Sequence, residues 1–329
     1  MRYFITPELT SISGGNKYDK KILNYLKGVQ PKTINISPRK SPLTILSFFK
    51  ILKKMPSNST LIIDGLIAVK TYCIINMLAK KHKVLLLIHH PVSFEHKKNG
   101  DIAIKLKERK IFSRAQSLIT VSKTMKKVIQ GMLNDKKKIS VVPPGVDEVY
   151  FKRDLSITQG YNLVCVGSVI PRKNIESCIE TLLYLDEKWT LSIIGKYHER
   201  DSYYKFLNDL VQRLELTKRV RFLGVIDDNS SLINIIKKSR VYICLSHYEG
   251  YGMANIEAAC LGLPLVVSDL PVFRENLKGF CRAYVNTNNS QDIADAINQL
   301  TINEKSFDIN YPLKWHQVGF RFKRVINEQ

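Results

Sequence analysis

The stretch Val241-Tyr-Ile-Cys-Leu-Ser-His-Tyr-Glu-Gly-Tyr-Gly-Met-Ala-Asn-Ile-Glu-Ala-Ala-Cys-Leu-Gly-Leu-Pro-Leu-Val-Val267 decides the fold of this 329-residue chain. It predicts an apolar strand that ends at Ser246, a loop with two glycines, and a helix that stops at Gly262 before a second strand. This order of strand, helix and strand is typical of a parallel sheet covered by helices. The small residues Gly252 and Ala254 would let a ligand approach the free N–H groups at the helix start, which suit a phosphate.

The same alternation of apolar strand patterns and helical patterns extends over the whole chain. It restarts after Pro143-Pro144-Gly145, a turn-rich break. The sequence therefore predicts an α/β protein with two doubly wound, Rossmann-like parallel-sheet domains that face a cleft. The predicted domains are residues 1–155 and 156–310, followed by a last helix in residues 311–329.

Composition excludes several classes of protein. Apolar residues make up 44% and charged residues 24% of the chain, which is typical of a globular protein and excludes disordered, collagen-like and disulfide-scaffold chains. The six cysteines include no Cys-x-x-Cys pair, which predicts reduced thiols and no zinc site. No apolar run approaches the ~18 residues of a membrane span, and no signal-peptide core is present. The expected location is the cytoplasm.

The positive charge lies mainly in the first half of the chain. The chain has 51 Lys and Arg against 29 Asp and Glu, a net charge of +22. Residues 1–155 contain 30 and 10 of these, a net charge of +20, whereas residues 156–329 contain 21 and 19, a net charge of +2. This asymmetry predicts an anionic partner for the first half, either nucleic acid or a membrane surface. The amphipathic stretch Leu43–Met55 would lie on anionic lipid or, equally, pack as a helix with a solvated basic face.

Charged residues follow two strands of the second half. Glu249 lies in the loop after one strand and Glu257 one turn into the next helix, where carboxylates would bind sugar or ribose hydroxyls or would simply be solvated. Arg172 and Lys173 directly precede Asn174, the predicted N-cap of another helix. Because cations at a helix N-terminus oppose the helix dipole, a bound diphosphate would explain both.

Two junctions of the first half also carry candidate residues. His89 and His90 follow the apolar strand Val84–Ile88 and, as neighbours on an extended chain, point to opposite faces, so they are not a two-ligand metal site. Gly14-Gly15 follows the first strand and would cradle a phosphate or form a turn. The third glycine of the dinucleotide fingerprint is missing there, which disfavours a nicotinamide cofactor.

Taken in chain order, these motifs carry a family resemblance. They are Gly14-Gly15, the histidine after a mid-domain strand, Ile119-Thr-Val-Ser122, Val141-Val-Pro-Pro-Gly-Val-Asp147, Gly167 with Arg172-Lys173-Asn174, and Glu249-Gly-Tyr-Gly-Met-Ala-Asn-Ile-Glu257. This pattern resembles the retaining glycosyltransferases of family 4, which have the two-domain GT-B fold. The resemblance spans nearly the whole chain and is more specific in the second half. It also implies that the last helix, with Trp315, crosses back to the first domain.

The resemblance implies transfer of a sugar from a nucleotide-sugar donor to a glycan or lipid-linked acceptor, with retained anomeric configuration and without a metal or cofactor. The second domain would bind the donor, and the first would bind the acceptor. Arg172 and Lys173 would bind the diphosphate and stabilise its charge as it leaves. The helix start at Gly252, Met253 and Ala254 would contribute N–H groups to the same task.

The remaining donor contacts follow from the same resemblance. Glu257 would bind the ribose hydroxyls, and Glu249 would hold the transferred sugar. His90, with His89 as the second choice, would contact the donor sugar near the bond being made. Two glycines also fall at donor-binding positions: Gly15 and Gly224.

Two alternatives to this transferase remain. One is another GT-B enzyme, such as a nucleotide-sugar epimerase, although the Glu249 and Glu257 pair favours a transferase. The other is a basic nucleic-acid-binding protein. Aromatic residues are not interleaved with the basic clusters and no helix-turn-helix or finger motif occurs, so nucleic acid is the weaker hypothesis. Peripheral association with the cytoplasmic face of a membrane is a further hypothesis.

Overall fold

The computed structural model describes residues 1–7, 13–34, 48–49, 52, 55–95, 102–133, 136–151, 160–300 and 313–328. The chain divides into two compact units: unit 1 comprises Met1–Gly145 and Leu313–Gln329, and unit 2 comprises Val146–Pro312. The first division falls ten residues before the predicted boundary at residue 155. The reason is that Val146 and Tyr150 are buried in the core of unit 2.

Unit 1 contains a six-stranded parallel sheet. Its strands are β1 (Arg2–Pro7), β2 (Val29–Ile34), β3 (Thr60–Asp64), β4 (Lys83–Ile88), β5 (Ser117–Thr120) and β6 (Ile139–Val141). Helices that lie wholly within its described residues include α1 (Gly14–Leu23), α2 (Gly65–Lys70), α3 (Tyr72–Lys81), α4 (Ile102–Arg114) and α5 (Lys123–Met132). The strand order is β2-β1-β3-β4-β5-β6. Strand β4 shows why a parallel sheet forms, because Val84–Ile88 is a continuous apolar run that is buried along its whole length.

Unit 2 repeats this architecture with a second six-stranded parallel sheet. Its strands are β7 (Asn162–Val166), β8 (Thr190–Ile194), β9 (Val220–Gly224), β10 (Val241–Cys244), β11 (Leu265–Ser268) and β12 (Cys281–Val285). Its helices are α6 (Ile175–Thr181), α7 (Ser202–Arg213), α8 (Asn229–Lys237), α9 (Met253–Cys260), α10 (Pro271–Asn276) and α11 (Ser290–Asn298). The strand order is β12-β11-β10-β7-β8-β9, and the prediction of two doubly wound parallel sheets is confirmed.

The last helix, α12 (Trp315–Asn327), belongs to unit 1. The Trp315 ring packs edge-on against Tyr18 of α1 with 5.8 Å between ring centroids. Gly145 allows the chain to pass closely, because a Cβ atom there would lie 2.7 Å from the backbone nitrogen of Trp315. These contacts give α12 an apolar face inside the core of unit 1.

Each sheet has one point where the strand order reverses. In unit 1 this point lies between β1 and β3, and in unit 2 it lies between β7 and β10. Ligands of doubly wound sheets bind beyond the carboxyl ends of the strands at such points. The residues that follow β1, β3, β7 and β10 are therefore candidates for ligand binding and catalysis.

The stretch Leu43–Met55, considered above as a lipid-facing helix, lies mostly outside the described residues. Three of its apolar side chains, Phe48, Leu52 and Met55, are described and are buried in the core of unit 1. Their burial favours the packed helix over the lipid-facing one. None of the described helices is both long and apolar enough to cross a membrane.

Candidate functional site

A cluster of opposite charges lies at the switch point of unit 2. The Oε1 atom of Glu249 is 2.7 Å from Lys173 Nζ and 3.0 Å from Arg172 Nη1. The same oxygen accepts a hydrogen bond of 3.0 Å from Ser246 Oγ. All three charged side chains are at most 15% exposed. The structure thus brings together residues from two junctions that lie 76 and 77 positions apart in the sequence.

Local backbone contacts hold the two junctions against each other. Arg172 and Lys173 form a one-turn 3-10 helix with Pro171 after β7. Arg172 Nη1 donates a 2.6 Å hydrogen bond to the Tyr248 carbonyl, and the His247 N–H donates to the Arg172 carbonyl at 2.9 Å. The loop after β10 and the turn after β7 are therefore one tied structure.

The electrostatics of the cluster keep Glu249 ionised. Burial alone would raise its pKa, but attraction by Lys173 and Arg172 and hydrogen bonds from Lys173 and Ser246 lower the pKa to about 2. Burial likewise opposes the charge on Lys173, and attraction by Glu249 outweighs this effect and raises the pKa of the ammonium. The cluster therefore presents two permanent cations and one permanent carboxylate, groups that bind a diphosphate and hydroxyls.

Glycines at neighbouring strand ends make room beside this cluster. A Cβ atom on Gly167 would lie 2.8 Å from Cε and 2.9 Å from Nζ of Lys173. A Cβ atom on Gly195 would lie 1.9 Å from the Gly167 carbonyl oxygen. Gly195 was not predicted, although the pattern of a strand followed by glycine, shared by β7 and β8, is a signal that could have identified it. Gly224 ends β9, and a Cβ atom added there would meet no described atom within 4 Å.

The start of α9 is built as the sequence predicts. Gly252 has a φ of 87°, and a Cβ there would meet the Phe273 ring at 2.7 Å, so only glycine fits. Met253 and Ala254 are the first two helical residues and are partly buried. Glu257 lies one turn further and is 8% exposed, so it is not a freely solvated helix residue.

The predicted N-cap of α6 behaves differently from expectation. Asn174 precedes α6 in the left-handed conformation with a φ of 50°, and its side chain makes no capping hydrogen bond. Its Oδ1 instead accepts from Ser177 Oγ at 3.0 Å. The Tyr203 hydroxyl accepts from the Ile175 N–H at 3.0 Å, so a tyrosine from α7 satisfies a donor at the α6 start. Asn174 is therefore the N-cap residue, as predicted, but its side chain does not donate or accept the capping hydrogen bond.

A second polar cluster lies at the carboxyl ends of β3 and β4, beside the switch point of unit 1. His89, directly after β4, has its Nε2 atom 3.0 Å from Asp19 Oδ1 and 3.7 Å from Asp64 Oδ2. Asp64 Oδ1 accepts from the N–H groups of Leu66 and Ile67 at 2.8 and 3.3 Å and so caps α2. Gly15 lies against the imidazole, since a Cβ on Gly15 would be 3.1 Å from His89 Cδ2.

The two adjacent histidines have different surroundings. His90 Nε2 lies 2.8 Å from Glu95 Oε1, and the Glu95 side chain is 46% exposed. His89 is the histidine beside Gly15 and the buried carboxylates. The geometry therefore favours His89 over the predicted His90 as the functional imidazole. His90 stays a prediction from the sequence.

Asp19 and Asp64 were not among the predicted site residues. Asp64 could have been found, because it ends a strand directly before Gly65. Asp19 gives no such signal, since it lies within α1 and its partner is 70 positions away. Among the described residues, these two and His89 are also the group whose donor atoms, within 4.8 Å of one another, could hold a metal ion.

Comparison with protein families covers nearly the whole chain. The family described as "Glycosyl transferases group 1" matches residues 147–312. The family described as "Glycosyltransferase Family 4" matches residues 15–149. The change from one match to the other falls close to the division between unit 1 and unit 2.

Two relatives illustrate what this chain is similar to. The O-antigen chain mannosyltransferase RfbU of Salmonella typhimurium is 31% identical over 213 residues, which are 64% of this chain and 57% of that protein. The UDP-Gal:alpha-D-GlcNAc-diphosphoundecaprenol alpha-1,3-galactosyltransferase of Escherichia coli is 29% identical over 258 residues, which are 72% of this chain and 64% of that protein. The chain thus spans less than two thirds of the length of either relative.

Solved structures share the fold at low sequence identity. Alr3699/HepE of Anabaena, solved with UDP and glucose, has a TM-score of 0.79 at 15% identity with all of both chains covered. The sucrose-phosphate synthase of Thermosynechococcus elongatus has a TM-score of 0.82 at 16% identity, with 100% of this chain and 99% of that chain covered. At these identities the likeness establishes a fold with two Rossmann-like domains.

Proposed function

This chain belongs to the group 1 glycosyltransferases, and from that premise we propose that it transfers a sugar from a nucleotide-sugar donor to an acceptor hydroxyl. The observation that carries the proposal is the charge cluster of unit 2. One buried carboxylate oxygen, Glu249 Oε1, holds both Lys173 and Arg172 in place. Cations fixed in this way stabilise the negative charge that develops on a leaving diphosphate.

Each part of the cluster has a role in the proposal. Lys173 and Arg172 bind the donor diphosphate, and the N-terminus of α9, at Gly252, adds N–H groups to it. Glu249 binds hydroxyls of the transferred sugar, and Glu257 binds the ribose hydroxyls. Because the cations already contact Glu249, an arriving diphosphate shares them with this carboxylate.

We further propose that the transfer retains the anomeric configuration and needs no metal. Two buried cations and a helix N-terminus supply the positive charge that a divalent ion would otherwise supply to a diphosphate. Glu249, with its pKa lowered to about 2 by Lys173 and Arg172 despite burial, is a poor proton acceptor at neutral pH. That property fits a role in binding and charge stabilisation rather than the role of general base.

The proposed acceptor is a glycan or a lipid-linked sugar bound by unit 1 at an anionic membrane surface. The Escherichia coli relative is named for a diphosphoundecaprenol acceptor, and a Xanthomonas campestris relative is named for a cellobiosyl-diphosphopolyprenol acceptor. The charge of unit 1 supports an anionic surface. Its described side-chain carboxylates are all buried or paired: Asp19, Asp64 and Glu108 are buried, Glu95 contacts His90, and Glu328 contacts Arg324.

The proposal is tested first by nucleotide binding. Isothermal titration calorimetry with UDP, GDP, ADP and CDP is expected to give saturable binding of one of them, and Lys173→Ala is expected to weaken it. The matching nucleotide sugars are then tested for hydrolysis in the presence and absence of EDTA, and NMR gives the anomeric configuration of the transferred sugar. Absence of binding by all four nucleotides would contradict the proposed donor class. Loss of activity in EDTA would contradict the metal-free proposal.

A further inference from the structure

The segment that follows β4 is fixed at its far end by a buried carboxylate from α4. Glu108 is 1% exposed, and its Oε1 atom accepts a hydrogen bond of 2.5 Å from the Val92 N–H. Its Oε2 atom accepts two hydrogen bonds from Ser93, at 2.5 Å from Oγ and at 3.3 Å from the N–H. One side chain of α4 thus holds the two residues that directly follow Pro91.

The turn that contains these residues has no cap from its own sequence. Val92–Phe94 form a one-turn 3-10 helix, and Pro91 before it makes no side-chain capping hydrogen bond. The first N–H groups of a helical turn find no acceptor within the turn itself. Glu108 accepts from two of them, although it lies 15 and 16 positions away in the sequence. The turn is therefore capped by a residue of another helix.

Packing of α4 does not explain a carboxylate at this position. Ile111 and Phe112, one turn further on the same side of α4, are buried in the core of unit 1 and hold the helix there. Among the described residues, Glu108 forms no ion pair with a lysine or an arginine. A buried carboxylate is unfavourable unless hydrogen bonds offset the loss of its hydration. The hydrogen bonds to the turn are therefore the reason for an acidic residue here.

The near end of the same segment is also fixed. The carbonyl of Ile88, the last residue of β4, accepts a hydrogen bond of 2.8 Å from Thr120 Oγ1 at the end of β5. Between this anchor and the turn lie His89, His90 and Pro91. The ring of a proline fixes its φ angle, which removes further freedom from so short a segment. The orientation of the two histidines therefore depends on where the turn is held.

We propose that Glu108 is a positioning residue for the proposed glycosyl transfer. By holding the turn Val92–Phe94, it keeps His89 directed into the site of unit 1 and His90 directed at Glu95. Glu108 does not touch substrate in this proposal and acts through the turn alone. The inference rests on the proposed function for its effect on turnover, whereas its effect on the histidines does not require turnover.

Release of the turn would change the surroundings of both histidines. Glu95 is the C-cap of the turn, so the 2.8 Å contact between its Oε1 atom and His90 Nε2 depends on the position of the turn. His89 precedes His90 directly, and its ring fits closely beside Gly15, where a Cβ atom would lie 3.1 Å from Cδ2. A displacement of about 1 Å near the reacting atoms lowers the rate of an enzyme by about 100-fold.

The first experiment measures the turn and the histidines directly. Glu108→Gln keeps the size of the side chain but leaves one acceptor oxygen for the three donors. Hydrogen–deuterium exchange is expected to be about tenfold faster at the Val92 and Ser93 amides and unchanged in β4. The 13C ring signals of His89 and His90 are expected to move in the NMR spectrum. They are assigned among the seven histidines with the variants His89→Asn and His90→Asn.

Glu328→Gln is the matched control for this experiment. It makes the same substitution at an exposed residue of unit 1 and is expected to leave the turn and both imidazole signals unchanged. Unchanged exchange at the turn in Glu108→Gln would overturn the proposal. Unchanged signals of His89 and His90, or equal movement of these signals in both variants, would overturn it as well.

The second experiment separates positioning from stability. Glu108→Gln is expected to lower kcat by about 10–100-fold and to leave the KM for the nucleotide sugar unchanged, because the charge cluster belongs to unit 2. Circular dichroism at the assay temperature gives the folded fraction of each protein. A loss of kcat that only matches the loss of folded protein would show a structural role and contradict the proposal, as would full activity.

Ser93→Ala keeps the proposal testable where Glu108→Gln does not fold. It removes the hydrogen bond from Oγ and leaves the two backbone donors in place. Its kcat is expected to fall by about 2–10-fold, with movement of the same imidazole signals. Wild-type kcat together with wild-type signals in Ser93→Ala would overturn the proposal. If the wild type transfers no sugar from any donor, the proposed function fails, while exchange and NMR still decide whether Glu108 positions the histidines.

Discussion

At the scale of single residues, the charge cluster of unit 2 depends on one oxygen atom. Glu249 Oε1 contacts Lys173 Nζ, Arg172 Nη1 and Ser246 Oγ, each within 3.0 Å. Because these charges are largely buried, removal of one partner leaves the others without compensation. The same contacts hold both cations in place, so the proposed diphosphate would find them already oriented, which lowers the cost of binding.

The first prediction concerns Lys173. Lys173→Ala is expected to lower kcat/KM by about 100-fold or more, because a cation that stabilises the leaving diphosphate is lost. Steady-state kinetics with the donor found by calorimetry measures the change. Lys188→Ala is the matched control, since Lys188 is 53% exposed and contacts Asp186 at 3.7 Å. Full activity in Lys173→Ala, with the control also active, would refute the assignment.

The second prediction concerns acid stability. Burial raises the pKa of Glu249, but the two cations lower it to about 2, below its ordinary value of 4.5. The ionised Glu249 therefore stabilises the folded state fully above pH 4.5, and this stabilisation is lost as the pH falls from 4.5 toward 2. Glu249→Gln is expected to abolish transfer and to lower the free energy of unfolding by about 3 kcal/mol at pH 7.

Urea unfolding of the wild type and Glu249→Gln at pH 7, 5.5 and 3 tests this prediction. The difference between the two proteins is expected to be constant from pH 7 to 5.5 and to shrink at pH 3. Since all other titrating groups are shared, this comparison isolates Glu249. A difference that stays the same at pH 3 would show that the ionised carboxylate is not the source of the stabilisation.

At the scale of elements, the N-terminus of α9 is set by one glycine. Gly252 combines a φ of 87° with a position where a Cβ atom would lie 2.7 Å from the Phe273 ring of α10. Both the backbone conformation and the packing between α9 and α10 therefore exclude a side chain. Any substitution must rotate the first turn of α9 or displace the Phe273 ring.

The third prediction follows from this geometry. Gly252→Ala is expected to destabilise the protein by about 1–3 kcal/mol and to weaken nucleotide binding, because the first N–H groups of α9 are displaced. Thermal unfolding and calorimetry measure both effects. Gly131→Ala is the control, because Gly131 lies in α5 and a Cβ atom added there would meet no described atom within 4 Å. It is expected to raise stability by up to about 1 kcal/mol and to leave nucleotide binding unchanged.

At the scale of the whole molecule, the two units differ in charge and in how they use their carboxylates. In α4, the only acidic residue is Glu108, which is 1% exposed and accepts hydrogen bonds from Ser93. The exposed surface of α4 therefore carries only basic charge, including Lys105 and Lys110. In the described part of unit 1 the acidic side chains are buried or paired, so the charge that its described surface exposes is mainly that of lysine and arginine.

The fourth prediction concerns membrane binding. Full-length protein is expected to co-sediment with vesicles containing anionic lipid at low salt and to be released at high salt, because the attraction is electrostatic. Substitution of Lys105, Lys110 and Lys127 by Glu, which reverses their charge, is expected to abolish this binding. The control reverses three exposed lysines of unit 2: Lys205, Lys218 and Lys278. Equal loss in both triple variants would mean that net charge, rather than the unit 1 surface, determines binding.

Much of the charge cluster of unit 2 was predictable, because the residue patterns that indicate it are local in the sequence. The strand that ends at Ser246 and the helix that starts after Gly252 follow from nearby residues, as does the pair Arg172 and Lys173 before α6. No local pattern predicted that Arg172 and Lys173 contact Glu249. That contact depends on β7 and β10 being neighbours in the sheet, which is a property of strand order.

The concentration of charge, the two α/β halves and the polar residues at strand ends were determined by the sequence alone, because each reflects composition or short-range periodicity. The tertiary structure decided which of two adjacent histidines is surrounded by buried carboxylates. It did so by packing α1 against the end of β4, so that Asp19, 70 positions away, reaches His89. A mid-helix aspartate and a strand-end histidine become a pair only when a parallel sheet and its covering helix bring distant segments together.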